Sequence, residues 1–303
     1  MFLQYYLNEL NYGDMPEFLH KYLNSPSLIR LKNIGYFCGM DYASKDIYNF
    51  LDHITRFDHS LTVCLLVYKL TGDKTSSLRG LFHDIATPCF SHVIDYMNND
   101  YEKQESTEEF TEYVIKNDKY LMKCFSEDGI NPDKIIDFKS DSIVDNERPK
   151  VCADRIDGVI LTGAHWTKDV DRYDVKDIVR DLSIFTNEDG EKEIGFCSLN
   201  TALKVVQFSN NIDLFCHSSE DNYMMELLAM ITDYSIKKGY ISYNDLFVLG
   251  ENDLFTILKN SNDLTLLKLI YEFENKKKVD IPHTDIPNIK KRSLKPIVKG
   301  FRI

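Results

Sequence analysis

The chain predicts a mainly α-helical protein with a small β-hairpin, and three features carry that expectation. Segments of helical period outnumber alternating ones along most of its length. One stretch, SIFT–NEDG–EKEIGFC, carries a clear hairpin signal at Asn187-Glu188-Asp189-Gly190. The composition, 43% apolar and 12% aromatic, is ample for a sizeable core and argues against global disorder.

Residues 15–35 break at Ser25-Pro26 and resume as a helix with Leu28, Ile29, Leu31 and Ile34 on one face. A strong helix follows within 46–71, closed by Gly72 at a C-cap position. Thr75-Ser76-Ser77 can cap a helix running to about Asp84. Pro88 ends that turn, and Phe90–Met97 reads as a further short helix. The polar, acidic Asn98–Glu109 stretch is a loop leading into a helix at Glu108–Lys119. Residues 126–149, with Asn131-Pro132 and Arg148-Pro149, read as short helices and loops, and 150–166 as a buried helix. After the hairpin come two amphipathic helices between Leu199 and Tyr240. Asn252 or Asp253 can start another. The reading is one helical core over residues 1–180, with a helical extension over 181–303 packed on it.

A formal charge of −12 argues against a generic nucleic-acid or anionic-membrane binder. The exception is the basic stretch Lys290, Lys291, Arg292, Lys295, Lys299 and Arg302. It reads first as an exposed edge strand with lysines facing solvent, and second as a basic contact for a nucleotide or a partner. Seven cysteines form no CxxC pair, and read as reduced thiols in a cytoplasmic protein. The N-terminus lacks a basic signal-peptide region, and the most apolar run, Leu61–Leu70, is too short to span a bilayer. The expectation is a soluble protein.

Four short patterns bear chemistry. His83-Asp84 closes a helix whose preceding residues, Leu78, Leu81 and Phe82, are apolar. A carboxylate there needs a partner, and a divalent cation satisfies both side chains; a water-exposed pair at a helix end is the plain alternative. His59, in Arg56-Phe57-Asp58-His59-Ser60, opens the apolar helix, where a lone histidine is more often a core or capping residue. Asp154 interrupts an apolar helix, where a surface pair with Arg155 is the local alternative. His92 and Asp95 sit three apart on one helix face, a spacing that suits a carboxylate-oriented imidazole for acid–base work or a purely structural pair.

Taken in order, R-x-x-H-S, then H-D, then F-S-H-x-x-D, then an aspartate within an apolar helix resembles the HD-domain phosphohydrolase superfamily. Within it the chain looks closest to the deoxynucleoside triphosphate triphosphohydrolase branch. The resemblance covers residues 15–180 and, more weakly, 220–260, where Asn244-Asp245-Leu246-Phe247 and Glu251-Asn252-Asp253-Leu254 are similar to a downstream segment of that branch. It implies one divalent metal (Mn, Fe, Ni, Zn or Mg) held by His59, His83, Asp84 and Asp154. It places Arg56 on phosphate and makes His92 and Asp95 an active-site pair.

The pattern also departs from the branch. Thr87 stands where a histidine is usual, and Gln104, beside Glu105, stands for a second one. Gly158 and Thr162 replace a tyrosine and an arginine that hold substrate. Thr87, Gln104, Glu105 and Arg155 are therefore carried as candidate substrate contacts for an altered substrate. The implied function is hydrolysis of a phosphate ester or anhydride of a nucleotide or another small phosphorylated metabolite. The alternative is a non-catalytic metal- or nucleotide-binding regulator on the same scaffold. Relatives in that superfamily often form homo-oligomers.

Overall fold

The computed structural model describes residues 1–101, 110–283 and 289–303. It is mainly α-helical with one small four-stranded sheet. The helix Arg56–Thr71 begins with a reciprocal cap: the Asp58 amide bonds the Thr55 hydroxyl, and the Thr55 amide reaches the Asp58 carboxylate at 2.8 Å. Gly72 ends it in the left-handed conformation. The run Ser60–Val67 is buried, so this helix is wrapped on all sides.

Helix Lys74–Phe82 packs against it, and Gly80 permits the approach. A Cβ at Gly80 would meet Val63 Cγ1 at 3.2 Å and Cys64 Cα at 3.4 Å. Asp73, rather than the Thr75–Ser77 run, caps this helix, because its carboxylate accepts from the Ser76 amide at 2.7 Å. The helix stops at Phe82, so His83 and Asp84 lie in the turn that follows.

The helix expected from Glu108 to Lys119 spans Thr111–Asn117, with Phe110 at its N-cap; Glu108 and Glu109 lie outside the described residues. It does not run on, because Asp118 leaves the helical conformation. Its carboxylate caps a new helix, Lys119–Asp128, and also accepts from the Ser25 hydroxyl at 2.7 Å. The buried segment expected at 150–166 is a helix over Ala153–Thr162 that widens into a π-helical turn at Gly163–Thr167.

Strands β1 (Leu182–Thr186) and β2 (Lys192–Phe196) form the antiparallel hairpin, in register Leu182↔Phe196 to Thr186↔Lys192. The Asn187 side chain accepts from the amides of Asp189 and Glu191, and Gly190 supplies a positive φ. β3 (Ile297–Val298) lies parallel to β2, and β4 (Phe301–Arg302) turns back antiparallel to β3. Glu193, fully buried in β2, is held by Arg302 and accepts from the Val151 amide at 3.1 Å, tying the sheet to the entry of the Ala153–Thr162 helix.

One hydrophobic cluster runs from Phe2 through to Leu294 and includes the helices Leu199–Cys216 and Ser219–Lys237. No described helix is long and apolar enough to cross a membrane.

Candidate metal centre and cleft

Three elements deliver the four expected ligands to one place. His59 lies in the first turn of Arg56–Thr71, His83 and Asp84 follow Phe82, and Asp154 lies in the first turn of Ala153–Thr162. A carboxylate in a first turn also suits the positive end of the helix dipole. His59 Nε2 stands 3.2 Å from His83 Nε2 and 3.1 Å from Asp154 Oδ1, and His83 Nε2 is 3.6 Å from the same oxygen. Asp84 Oδ2 approaches the two imidazoles at 3.8 and 3.9 Å. His59, His83 and Asp154 have ligand atoms within 4.8 Å of one another; Asp84 falls outside that tighter set and bonds Arg56 Nη1 at 2.9 Å.

Hydrogen bonds on the far side of each ring decide what the near side offers. His59 Nδ1 donates to Asp157 Oδ2 at 2.7 Å, and Asp157 Oδ1 accepts from the Tyr6 hydroxyl at 2.8 Å. His83 Nδ1 donates to the Gly80 carbonyl at 2.8 Å, which can only accept. Neutral rings so bound turn two Nε2 lone pairs on each other at 3.2 Å. That contact is repulsive unless a proton or a cation lies between them. The same pattern, an outer N–H bound to a carboxylate or carbonyl, orients metal-bound histidines. Donors about 2.0–2.2 Å from a shared ion stand about 3–4 Å apart, so the residues fit a divalent metal.

The charges follow that geometry. Burial disfavours the His59 cation, but the hydrogen bonds to Asp154 and Asp157 outweigh it and push its pKa up to about 10. Burial likewise opposes charge on His83, and Asp84 and Asp154 raise it. Burial works against both carboxylates too. His83 and Arg56 nevertheless hold Asp84 well below the usual range, and the two histidines do the same for Asp154. A second group, Asp145, Cys152 and Asp154, also comes within ligand distance. Burial pushes the Cys152 thiol up to about 12, and Asp145 is engaged by Arg155, so it is the poorer metal site.

The cluster opens onto a cleft of about 900 Å³, and Asp154, with 36% of its side chain exposed, is its most accessible member. Arg56 and His92 line the same cleft. Arg56 Nε donates to Ser91 Oγ at 3.1 Å, and its guanidinium lies 5.0 Å from the Tyr36 ring centre. His92 Nδ1 donates to the fully buried Asp95 at 2.9 Å, leaving Nε2 as the acceptor. Burial lowers the His92 pKa, Asp95 partly restores it, and Arg56 and Arg292 lower it further.

Phe90 and Ser91, just before His92, both have positive φ (64° and 45°), a costly conformation for such residues. Glu251, fully buried, holds the turn by accepting from the Phe90 amide at 3.1 Å, and it also accepts from the Gly35 backbone. Phe37, Tyr48, Phe50 and Trp166 form an aromatic wall of the cleft, with Phe37 and Phe50 stacked at 4.1 Å.

Several expected substrate contacts lie elsewhere. Thr87 is buried and does not line the cleft, and its carbonyl accepts from Arg30 at 2.6 Å. Arg155 borders the cleft, but its guanidinium is spent on the preceding loop. It donates to the Asn146 side chain and carbonyl, the Lys150 carbonyl and Asp145. Gln104 and Glu105 lie outside the described residues. The basic C-terminal stretch is not simply a solvent-facing edge: Lys290 and Arg292 line the cleft, while Lys291, Lys295 and Lys299 are exposed. The packing of that segment over the helix Leu199–Cys216 turns Arg292 inward, with the Arg292 carbonyl accepting from Ser209 at 2.6 Å.

Asp157, Glu251 and Arg148 escaped the sequence reading. Asp157 had a usable signal, since it lies three residues after Asp154 on one helix face; Glu251 lay in the downstream segment that resembles the branch but was given no role there, and Arg148 had no signal.

No family model matches the chain. It is 24% identical over 282 residues to an uncharacterized protein of Bacillus subtilis (strain 168), YdhJ, covering 86% of this chain and 81% of that protein.

Proposed function

We propose that the chain is a metal-dependent phosphohydrolase of the HD-domain type, cleaving an ester or anhydride of a small phosphorylated metabolite such as a nucleotide. The observation that supports it most is the pair of buried imidazole nitrogens 3.2 Å apart, each with its outer nitrogen already engaged. His59, His83, Asp84 and Asp154 would hold the metal. When bound, a divalent metal supplies Lewis acidity towards a phosphoryl oxygen and acidifies water.

The chain's own residues do the rest. Arg56, fixed by Asp84 and Ser91, offsets charge gathering on the phosphoryl oxygens. His92, with its tautomer set by Asp95, takes or returns a proton through Nε2. The aromatic wall excludes water from one side of the substrate. The free cysteines fit a cytoplasmic setting.

Elemental analysis of the purified protein, with phosphate release from nucleotides and sugar phosphates in Mn²⁺ or Mg²⁺, tests this reading. A stoichiometric metal and turnover lost in the His83→Ala, Asp84→Ala double variant are expected; turnover unchanged in that variant overturns it. The placement of Thr87, Gly158 and Thr162, where the triphosphohydrolase branch has other residues, favours a second reading as a regulator. That reading predicts ligand-induced stabilisation without turnover.

A further inference from the structure

Two carboxyl groups meet behind the turn that carries His92, apart from the His/Asp cluster. Glu251 holds the Phe90 amide through Oε1, while its buried Oε2 meets no donor in good hydrogen-bonding geometry among the described residues. Asp41 is placed likewise: Oδ1 accepts from His53 Nδ1 at 3.0 Å, and Oδ2 is buried without such a donor. Both of these oxygens face one bare backbone carbon. A Cβ at Gly35 would stand 2.9 Å from Asp41 Oδ2 and 3.0 Å from Glu251 Oε2, so the two flank a single point.

When two buried carboxyls share a site, one is driven to keep its proton. A metal ion is the poorer remedy, because Asp41, His53 and Glu251 do not bring three ligand atoms within 4.8 Å of one another. Burial pushes the Glu251 carboxyl up to about 7; the Phe90 and Gly35 amides oppose the rise, and Asp41 adds to it. The surrounding groups leave room for one proton. Lys45 Nζ is spent on the Asp41 carbonyl at 2.7 Å. Burial keeps Tyr42 and Cys89 neutral well above their ordinary values, with Arg30 and Asp253 acting on Cys89. His53 is exposed on a hollow that Asp41, Asp52 and Asn252 also line, and Asp41 and Asp58 favour its cation. Solvent protons therefore reach the pair through His53.

We infer that Asp41 and Glu251 hold one proton between them, directly or across one water, and that losing it loosens the Phe90–Ser91 turn and hence His92. With both groups charged, their facing oxygens repel each other. The part that yields is the Glu251 side chain that pins two residues of positive φ. This pH-sensitive lock rests on neither a bound metal nor turnover.

Two measurements on the metal-free full chain test it. The first is amide hydrogen exchange at Phe90 and Ser91, expressed as protection relative to unstructured peptide. Protection should fall by at least about tenfold between about pH 6 and 8 in wild type. It should hold steady in Glu251→Gln, whose amide keeps the acceptor for Phe90 and offers Asp41 an N–H, and in Asp41→Asn, which removes the repulsion. The second is urea denaturation across the same range and below it. Glu251 is raised in the fold, so its contribution is full below its ordinary 4.5 and is lost as pH rises to about 7. Glu251→Gln should abolish that loss and be at least as stable as wild type at about pH 8, while the separate loss from His53 above 6.5 remains. Circular dichroism confirms that both variants fold. Constant protection in wild type, an equal fall in both variants, or parallel stability curves for wild type and Glu251→Gln overturn the lock. Stabilisation of wild type by sodium or calcium at about pH 8 that Asp41→Asn abolishes assigns the site to a cation and overturns the shared proton.

Discussion

Asp157 fixes the tautomer of His59. The bond between them is 2.7 Å long, both groups are buried, and the other carboxylate oxygen is held by Tyr6, so the aspartate cannot swing away. A charged acceptor of this kind both orients an imidazole and makes its opposite nitrogen a better donor to a cation.

Replacing Asp157 with asparagine keeps the volume and removes the charge. Metal affinity should drop by about 10- to 100-fold, measured by competition with a chromophoric chelator. Circular dichroism should stay near wild type. Unchanged affinity would show that His59 does not depend on this partner.

Proton and metal compete for the space between the imidazoles. In the metal-free protein His59 titrates near 10, above its ordinary 6.5, so its charge contributes fully to stability below about 6.5 and that contribution fades as pH rises towards 10. The melting temperature of metal-free protein should fall over that range more than that of metal-loaded protein. Metal affinity should climb over the same range, with proton release on binding. Asp84 has the opposite sign: its contribution is present above its ordinary value of 3.8 and is lost as pH falls below it.

His92→Ala should lower turnover by about 10²–10⁴-fold while leaving metal content unchanged, because His92 faces the cleft without joining the cluster. Since its pKa lies below the usual imidazole value, the acid limb of the wild-type rate profile should inflect below 6.5. Asp95→Asn should move that limb while KM changes little. A profile identical in wild type and Asp95→Asn would remove the pair from the chemistry.

Gly39 sits at φ +77°, and a Cβ there would stand 2.6 Å from Phe90 Cδ1 and 2.8 Å from Leu228 Cδ2. Gly39→Ala combines a left-handed alanine with overpacking, for a cost of about 2–4 kcal/mol. Urea denaturation reads it directly. The displaced Phe90 should also disturb the turn carrying Ser91 and His92, so activity should fall further than the folded fraction does.

Local chemistry made much of the fold legible. Gly72 closes the long apolar helix and Asn187–Gly190 turns the hairpin because each signal acts over a few residues. That His59, His83, Asp84 and Asp154 belong together was what the family resemblance of the ordered pattern implied, and no one of the four carried it locally. What could not be read was set by distant partners. Arg155 has one sequence and two plausible duties, and the folding of loop 145–150 around it decides between them. Arg292 looks like surface charge until the C-terminal segment lies over Ser209. Asp73 and Thr75, two residues apart, both suit the start of one helix, and the aspartate takes it by accepting from the Ser76 amide.

The bond from Glu251 to the Phe90 amide spans 161 residues of chain. A nascent chain that has emerged only as far as Asp154 already contains all four cluster residues, yet its Phe90–Ser91 turn has no acceptor to hold it in an unfavourable conformation. The support for the turn that carries His92 therefore arrives late in synthesis, and a truncated chain ending before Gly250 would keep His59, His83, Asp84 and Asp154 while its His92 arm stays unset.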